Sequence, residues 1–354
     1  MDNIQTQIIS FLRFPLCVMV VLIHTAITID GNWLQVFLSH VLSQVAVPSF
    51  FFFSGYLFFL NINQFNRKTY FSKLKGRTRT LLLPYIVWIS LWILFRLLLL
   101  LKNHESILDY FQLNGWFEFY RLFWDSSIFM TSQQDWLGFS AYMTAPYLVP
   151  LWYLRDLMVV CVLTPIIYLA IKRLRASFIV FLALAYITHI WPIHTGATII
   201  ALFWFSFGAF YSIRKIDFVA TMNRMGILSY FITALLILLE VYFDGSQTPT
   251  GFVIHPFCVI SMFVSLISLS SLIVNKWRPN FFLSQGSFFV YVSHGVFIPY
   301  VVLLVNHIIP FDSYLLSMLR YFLVPTVTIC LSLSMYLFIR QYSKPLLKLL
   351  CGNR

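Results

Sequence analysis

Charge is what this sequence has least of. Only 10% of its 354 residues are Asp, Glu, Lys or Arg, where a soluble domain carries roughly 25%. Most of the chain therefore cannot face water, and a mean hydropathy of +0.83 agrees. A length that would otherwise make two or three soluble domains reads instead as one membrane-embedded domain over 1–354. Cysteine is sparse as well. Cys17, Cys161, Cys258, Cys330 and Cys351 stand far apart, without the spacing of a metal or redox site, and read as apolar fillers. A signal-peptide pattern is lacking: the first apolar run, 8–29, exceeds the roughly 7–15 residues of an h-region, has no small-residue cleavage site, and is expected to be a retained span. No internal repeat is evident, which weighs against a transporter of the inverted-repeat kind.

What is present is a series of apolar runs, each near the roughly 20 residues that a bilayer core demands of a helix. They predict an all-α, polytopic bundle of ten spans near 8–29, 41–60, 80–101, 147–171, 177–192, 197–212, 226–243, 253–274, 286–308 and 316–339. The segments between them alternate in charge. Segments 61–79, 172–176, 213–225, 275–285 and 340–354 hold 18 of the 24 basic residues, while the alternate segments hold only Lys102 and Arg121 with eight of the 12 acids. Cytoplasmic loops carry the Lys/Arg excess, so both termini are expected in the cytoplasm. The net charge of +12 thus reads as a topology signal that also suits anionic lipid, not nucleic acid. Segment 61–79 is read as a short basic cytoplasmic loop. Segment 102–146 is outside, long and aromatic (Trp116, Phe117, Trp124, Trp136 and Phe139 among others), and is expected to fold over the outer mouth.

Ionisable residues inside spans are costly and mark candidate sites. Arg13 and His24 lie eleven residues apart, three helical turns plus about 20°, hence on one helix face roughly 16 Å apart. Arg155 and Asp156 are adjacent; neighbours on a helix point about 100° apart, so each is expected to have its own partner. With Arg96, Glu240, Arg320 and His24 they imply a polar chamber near the outer side. His294 falls near mid-membrane. His40, His104, His189, His194, His255 and His307 fall near span ends and read as surface residues.

Arg13-x10-His24 in a first span resembles the hallmark of the membrane-integral acyltransferase-3 family, the bacterial sugar O-acyltransferases. Four further stretches are similar and follow in order: Pro48-Ser49-Phe50-Phe51-Phe52-Phe53-Ser54-Gly55-Tyr56; Lys75-Gly76-Arg77-Thr78-Arg79 leading to Leu83-Pro84-Tyr85 and Trp88; Leu151-Trp152-Tyr153-Leu154; and Tyr291-Val292-Ser293-His294. The resemblance implies transfer of an acyl group, usually acetyl, from cytoplasmic acetyl-CoA to a sugar hydroxyl of a surface or envelope glycan. The alternative class is a transporter or flippase for a lipid-linked sugar. On the acyltransferase reading, Arg77, Arg79 and Arg13 meet the CoA phosphates or pantetheine, with Ser54, Tyr56 and His294 lining the donor site. His24 is the general base, Asp156 or Glu240 fixes its tautomer, and Arg155 or Ser54 stabilises the oxyanion. The partners expected are a glycan or lipid-linked saccharide and membrane lipids. No metal is called for, and a homo-oligomer is left open.

Overall fold

Apolar segments become helices here because a backbone in hydrocarbon must satisfy its own N–H and C=O groups. The computed structural model describes residues 4–25, 33–62, 64–126, 131–132, 142–243, 248–276, 281–309 and 313–352. Trp136 and Phe139 of the expected aromatic loop, and the 26–29 end of the first expected span, lie outside the described residues. Among the described residues, six helices are long and apolar enough to cross a membrane: α1 (Ile4–Ile23), α2 (Trp33–Phe59), α3 (Arg67–Asn103), α9 (Pro249–Val274), α10 (Phe281–Ile308) and α11 (Tyr314–Tyr342). A bent pair, α4 (Val149–Val162) and α5 (Thr164–Leu174), makes a seventh candidate if counted as one span. Three apolar helices are shorter: α6 (Ala176–Thr188), α7 (Ile199–Arg214) and α8 (Gly226–Tyr242). An amphipathic α12 (Lys344–Cys351) closes the order. The only β structure among the described residues is the two-residue antiparallel pair Thr131–Ser132 and Tyr142–Met143.

Three expectations are corrected. The basic segment 61–79 is not a loop. Asn66 caps a helix by accepting from the Thr69 N–H, and that helix runs unbroken into the apolar part of α3, so Arg77 and Arg79 sit on a rigid element. At Thr78–Leu82 it widens into a π turn, where the Leu83 N–H reaches the Thr78 carbonyl. The wider turn makes room for Pro84, whose ring would otherwise meet the carbonyl four residues back. The second span starts earlier than expected, at Trp33, and passes through π and 3-10 turns before straightening at Ala46. The fourth span bends by 62° at Leu163, where Pro165 cannot continue the α4 hydrogen-bond ladder.

Phenylalanine fills the interior. Phe51, Phe52, Phe58, Phe205, Phe218, Phe263 and Phe289 are fully buried. The tightest crossing is α2 on α7, where Gly55 faces the Phe205 backbone and Gly208 faces the Phe52 backbone with no room for a Cβ on either side. Outward, α3 shows Leu91, Leu94, Leu98 and Leu101, and α8 shows Ile227, Phe231, Leu235 and Leu238. These stripes follow helical spacing and suit lipid.

Candidate active site

Five helices each bring one piece of the motif set to a common place. On α1, Arg13 is an exposed residue. Arg77 on α3 and Tyr153 on α4 lie close enough to act on it electrostatically. The Tyr153 hydroxyl is 3.2 Å from Ser54 Oγ on α2, and its ring packs edge-on to Tyr291 on α10 with centroids 5.8 Å apart. Tyr291 is pinned by donating its hydroxyl to the Pro150 carbonyl at 2.7 Å. One turn on, the His294 ring lies 5.9 Å from Tyr291 and 5.3 Å from the His24 ring. A continuous run of motif side chains therefore leads from the basic start of α3, through Arg13 and Ser54–Tyr153, to a pair of histidines.

His24 follows the last residue of α1, with its N–H on the Val21 carbonyl. It is part-buried. His294 is fully buried, its Nδ1 lies 2.5 Å from the Tyr291 carbonyl oxygen, and its Nε2 has no hydrogen-bond partner among the described residues. Named with the donor-site residues, it sits against His24, at the end of the run away from Arg77. Tyr56 is turned elsewhere: its hydroxyl donates to Gln5, and its ring packs on Phe218.

Neither acid reaches His24. Asp156 is fully buried; it takes Arg155 Nε at 2.9 Å, the Gly196 N–H at 3.1 Å and Thr198 Oγ1 at 2.8 Å. Gly196 can offer that N–H because its φ of +78° is open to glycine, and a Cβ there would press on Val159 and Trp124. Arg155 also donates to the Trp124 and Thr144 carbonyls at 2.7 and 2.9 Å and lies over the Trp124 ring. Each therefore has partners of its own, as expected, but the two also pair with each other. The long guanidinium folds back onto its neighbour, and the pair ties the 122–147 segment to α4 instead of facing a reacting group. Glu240, also fully buried, pairs with Nδ1 of His255, which is therefore not a surface residue. Sequence reasoning missed that pair, whose two members lie on consecutive helices, α8 and α9.

The single polar chamber is corrected likewise. Arg96 meets the Tyr147 hydroxyl and the rings of Trp92 and Tyr110, and Arg320 donates to the Asn306 carbonyl. With Arg155–Asp156 and Glu240–His255 these form separate polar ties between neighbouring elements. Tyr85 and Trp88, from the third motif, also hold structure: Tyr85 donates to the Phe123 carbonyl, and Trp88 Nε1 donates to Leu350 of α12 at 3.0 Å.

Residues 7–337 match the acyltransferase-3 family model, described as an acyltransferase domain. The chain belongs to that family. It is similar to the succinoglycan biosynthesis protein ExoH of Rhizobium meliloti (strain 1021), with 27% identity over 341 residues that cover 91% of this chain and 83% of that protein. No solved structure matches. Together with its long apolar helices, membership makes this chain a multi-pass membrane acyltransferase.

Proposed function

We propose that this membrane acyltransferase moves an acyl group, acetyl in the first instance, from cytoplasmic acyl-CoA to a sugar hydroxyl of a cell-surface or envelope glycan. The observation that carries the reading is the run of side chains from Arg77 to His24. Its basic end suits an anionic donor: Lys73, Lys75, Arg77 and Arg79 share the first part of α3 without an acid among them, and charge-assisted bonds to phosphate are strong. Arg13 extends the positive charge inward. Ser54 and Tyr153 line the next stretch with hydroxyls that can meet the amides of a pantetheine arm. The thioester carbon then comes to rest at the histidines.

There His24 takes the proton of the attacking sugar hydroxyl. The oxygen forms its bond to the acyl carbon, the carbon–sulfur bond breaks, and the proton passes to the departing CoA thiolate. General-base assistance of this kind contributes typically about 10²–10⁴-fold. The relative of known name works in the biosynthesis of a polysaccharide, succinoglycan, which supports a glycan acceptor. Ten spans with cytoplasmic termini, in an inner membrane, complete the proposal. The six long helices, the bent pair taken as one span and the three shorter helices support that count, and the partition of basic residues supports the orientation. Purified protein in liposomes, given radiolabelled acetyl-CoA and envelope glycan, should move label to the glycan. Movement of a lipid-linked sugar across the bilayer without label transfer would replace this reading with a flippase.

A further inference from the structure

We propose that His294 acts as the positioning base of His24: a buried imidazole, locked in one tautomer, whose free Nε2 accepts the N–H of His24 and holds that ring for proton abstraction. This inference rests on the acyl-transfer reading above and assigns a role within it.

The argument starts from what a carbonyl can do. Nδ1 of His294 lies 2.5 Å from the Tyr291 carbonyl oxygen, three residues back on the same helix. A carbonyl oxygen only accepts, so Nδ1 must be the donor and carry the proton. In a neutral ring Nε2 is then an acceptor with an exposed lone pair. That atom is buried and without a hydrogen-bond partner among the described residues. A buried acceptor left empty costs about 1–3 kcal/mol, so an arrangement that keeps one calls for a reason. Nδ1 faces the helix's own backbone, so Nε2, across the ring, points away from it. The ring beside it is His24, 5.3 Å between centroids with the planes at 40°. Neither Asp156 nor Glu240 can serve His24, since both are engaged elsewhere.

The local packing keeps His294 in place. Ser293 is fully buried and bonds Ser332 of α11 at 2.9 Å, fixing α10 from one side. Tyr291 is tied to Pro150 from the other. Gly295 lets Leu148 and Pro150 close over the next turn, where a Cβ would meet Pro150 at 2.9 Å. These contacts fix the helix that carries His294, and the Tyr291 carbonyl holds the ring itself through Nδ1.

During transfer, His24 would take the hydroxyl proton on one nitrogen while its other N–H bonds to Nε2 of His294. Positive charge that develops on His24 is then met by a neutral acceptor in place of a carboxylate, and the proton leaves with the CoA thiol. His294 itself neither gains nor loses a proton overall.

Two substitutions separate this role from a structural one, because they keep opposite ends of the ring. His294→Asn retains a donor near Nδ1 for the Tyr291 carbonyl but has nothing at the Nε2 position. His294→Gln places its amide oxygen near Nε2. Turnover is measured per folded molecule, with donor KM determined alongside, in protein shown to be active as wild type and inactive as His24→Ala. The inference expects His294→Asn to lower kcat by about 10- to 100-fold, the value of a charge-assisted hydrogen bond, with the KM for acetyl-CoA unchanged. His294→Gln should stay within about threefold of wild type. Wild-type turnover in His294→Asn, or a larger loss in His294→Gln than in His294→Asn, would overturn it. A wild-type protein that moves no acyl group would instead end the acyl-transfer reading. A measurement on the unaltered protein guards against misfolded variants. His294 precedes Gly295, the one His–Gly step in the sequence, so dipeptide-selective labelling assigns its ring nitrogens by NMR. The proton must appear on Nδ1; a proton on Nε2 would refute the proposal.

Discussion

Replacing Gly55 with alanine should separate two helices that the fold holds backbone to backbone. The new Cβ would lie 2.0 Å from the Phe205 carbonyl oxygen, 2.8 Å from its carbon and 3.1 Å from the Ala209 nitrogen. All three are main-chain atoms, so no side chain can rotate away. Reaching ordinary van der Waals contact requires a displacement of about 1.4 Å at the crossing, enough to forfeit much of the dispersion energy of the atoms there. Phe52 would be drawn from Phe263, now 4.7 Å away between ring centroids. Ser54, one residue before the glycine, would be drawn from Tyr153. Overpacking ordinarily costs about 1–3 kcal/mol, and a backbone-on-backbone clash belongs at the upper end of that range. Gly208→Ala repeats the clash from the other helix, its Cβ 1.9 Å from the Phe52 oxygen. Once one substitution has opened the crossing, the second adds less, so the double variant should fall short of additivity by about 1 kcal/mol or more. Thermal unfolding in detergent, with the folded fraction followed by gel filtration, reads all three variants. A Gly55→Ala protein that melts with the wild type would refute the reasoning, and so would strict additivity.

His24→Ala should preserve the melting profile and acyl-CoA binding while turnover drops at least about 10²-fold; lower stability with turnover per folded molecule intact would mark a packing histidine. Arg77→Ala and Arg79→Ala should each weaken acyl-CoA binding by about 1.5–3 kcal/mol, with less effect on the acceptor, as measured by calorimetry; unchanged affinity in both would leave the cluster a topology role only. Arg155→Ala should cost about 3–5 kcal/mol of stability, because it strands the buried Asp156 carboxylate, and proteolysis between 107 and 126 should quicken. An impermeant thiol reagent on intact cells should label Phe117→Cys and spare Lys75→Cys, both at exposed positions. Labelling of Lys75→Cys would invert the orientation.

Hydropathy made the helices legible, but not where they bend, because a window average does not see a single backbone ring. Pro84 and Pro165 decide the π turn of α3 and the break after α4, and each acts on one hydrogen bond. The basic segment resembles a loop when charge counts as an interruption, whereas Lys and Arg are good helix formers and Asn66 starts the helix. Of the site, the ordered motifs foretold Arg13, His24, Tyr153, Tyr291 and His294, which the fold brings together. The roles suggested for Asp156, Arg155 and Glu240 were not legible. Depth along a span can be counted from sequence, but which helix faces which cannot. Asp156 finds Gly196 and Thr198, and Glu240 finds His255, at positions that only the packing selects.

The guanidinium of Arg155 imposes an order on biogenesis. A ribosome delivers Trp124 and Thr144 before Arg155, and Gly196 and Thr198 after Asp156. Until Arg155 is made, the stretch that ends at Tyr147 has its own turns but lacks the donor for the Trp124 and Thr144 carbonyls, and Asp156 lacks two of its three donors until some forty further residues have been made. The nascent chain therefore makes the Arg155 half of this polar knot as α4 forms, and completes the Asp156 half only when residues 196 and 198 have been made. Truncations that end before residue 155 should consequently expose the 107–126 stretch to protease.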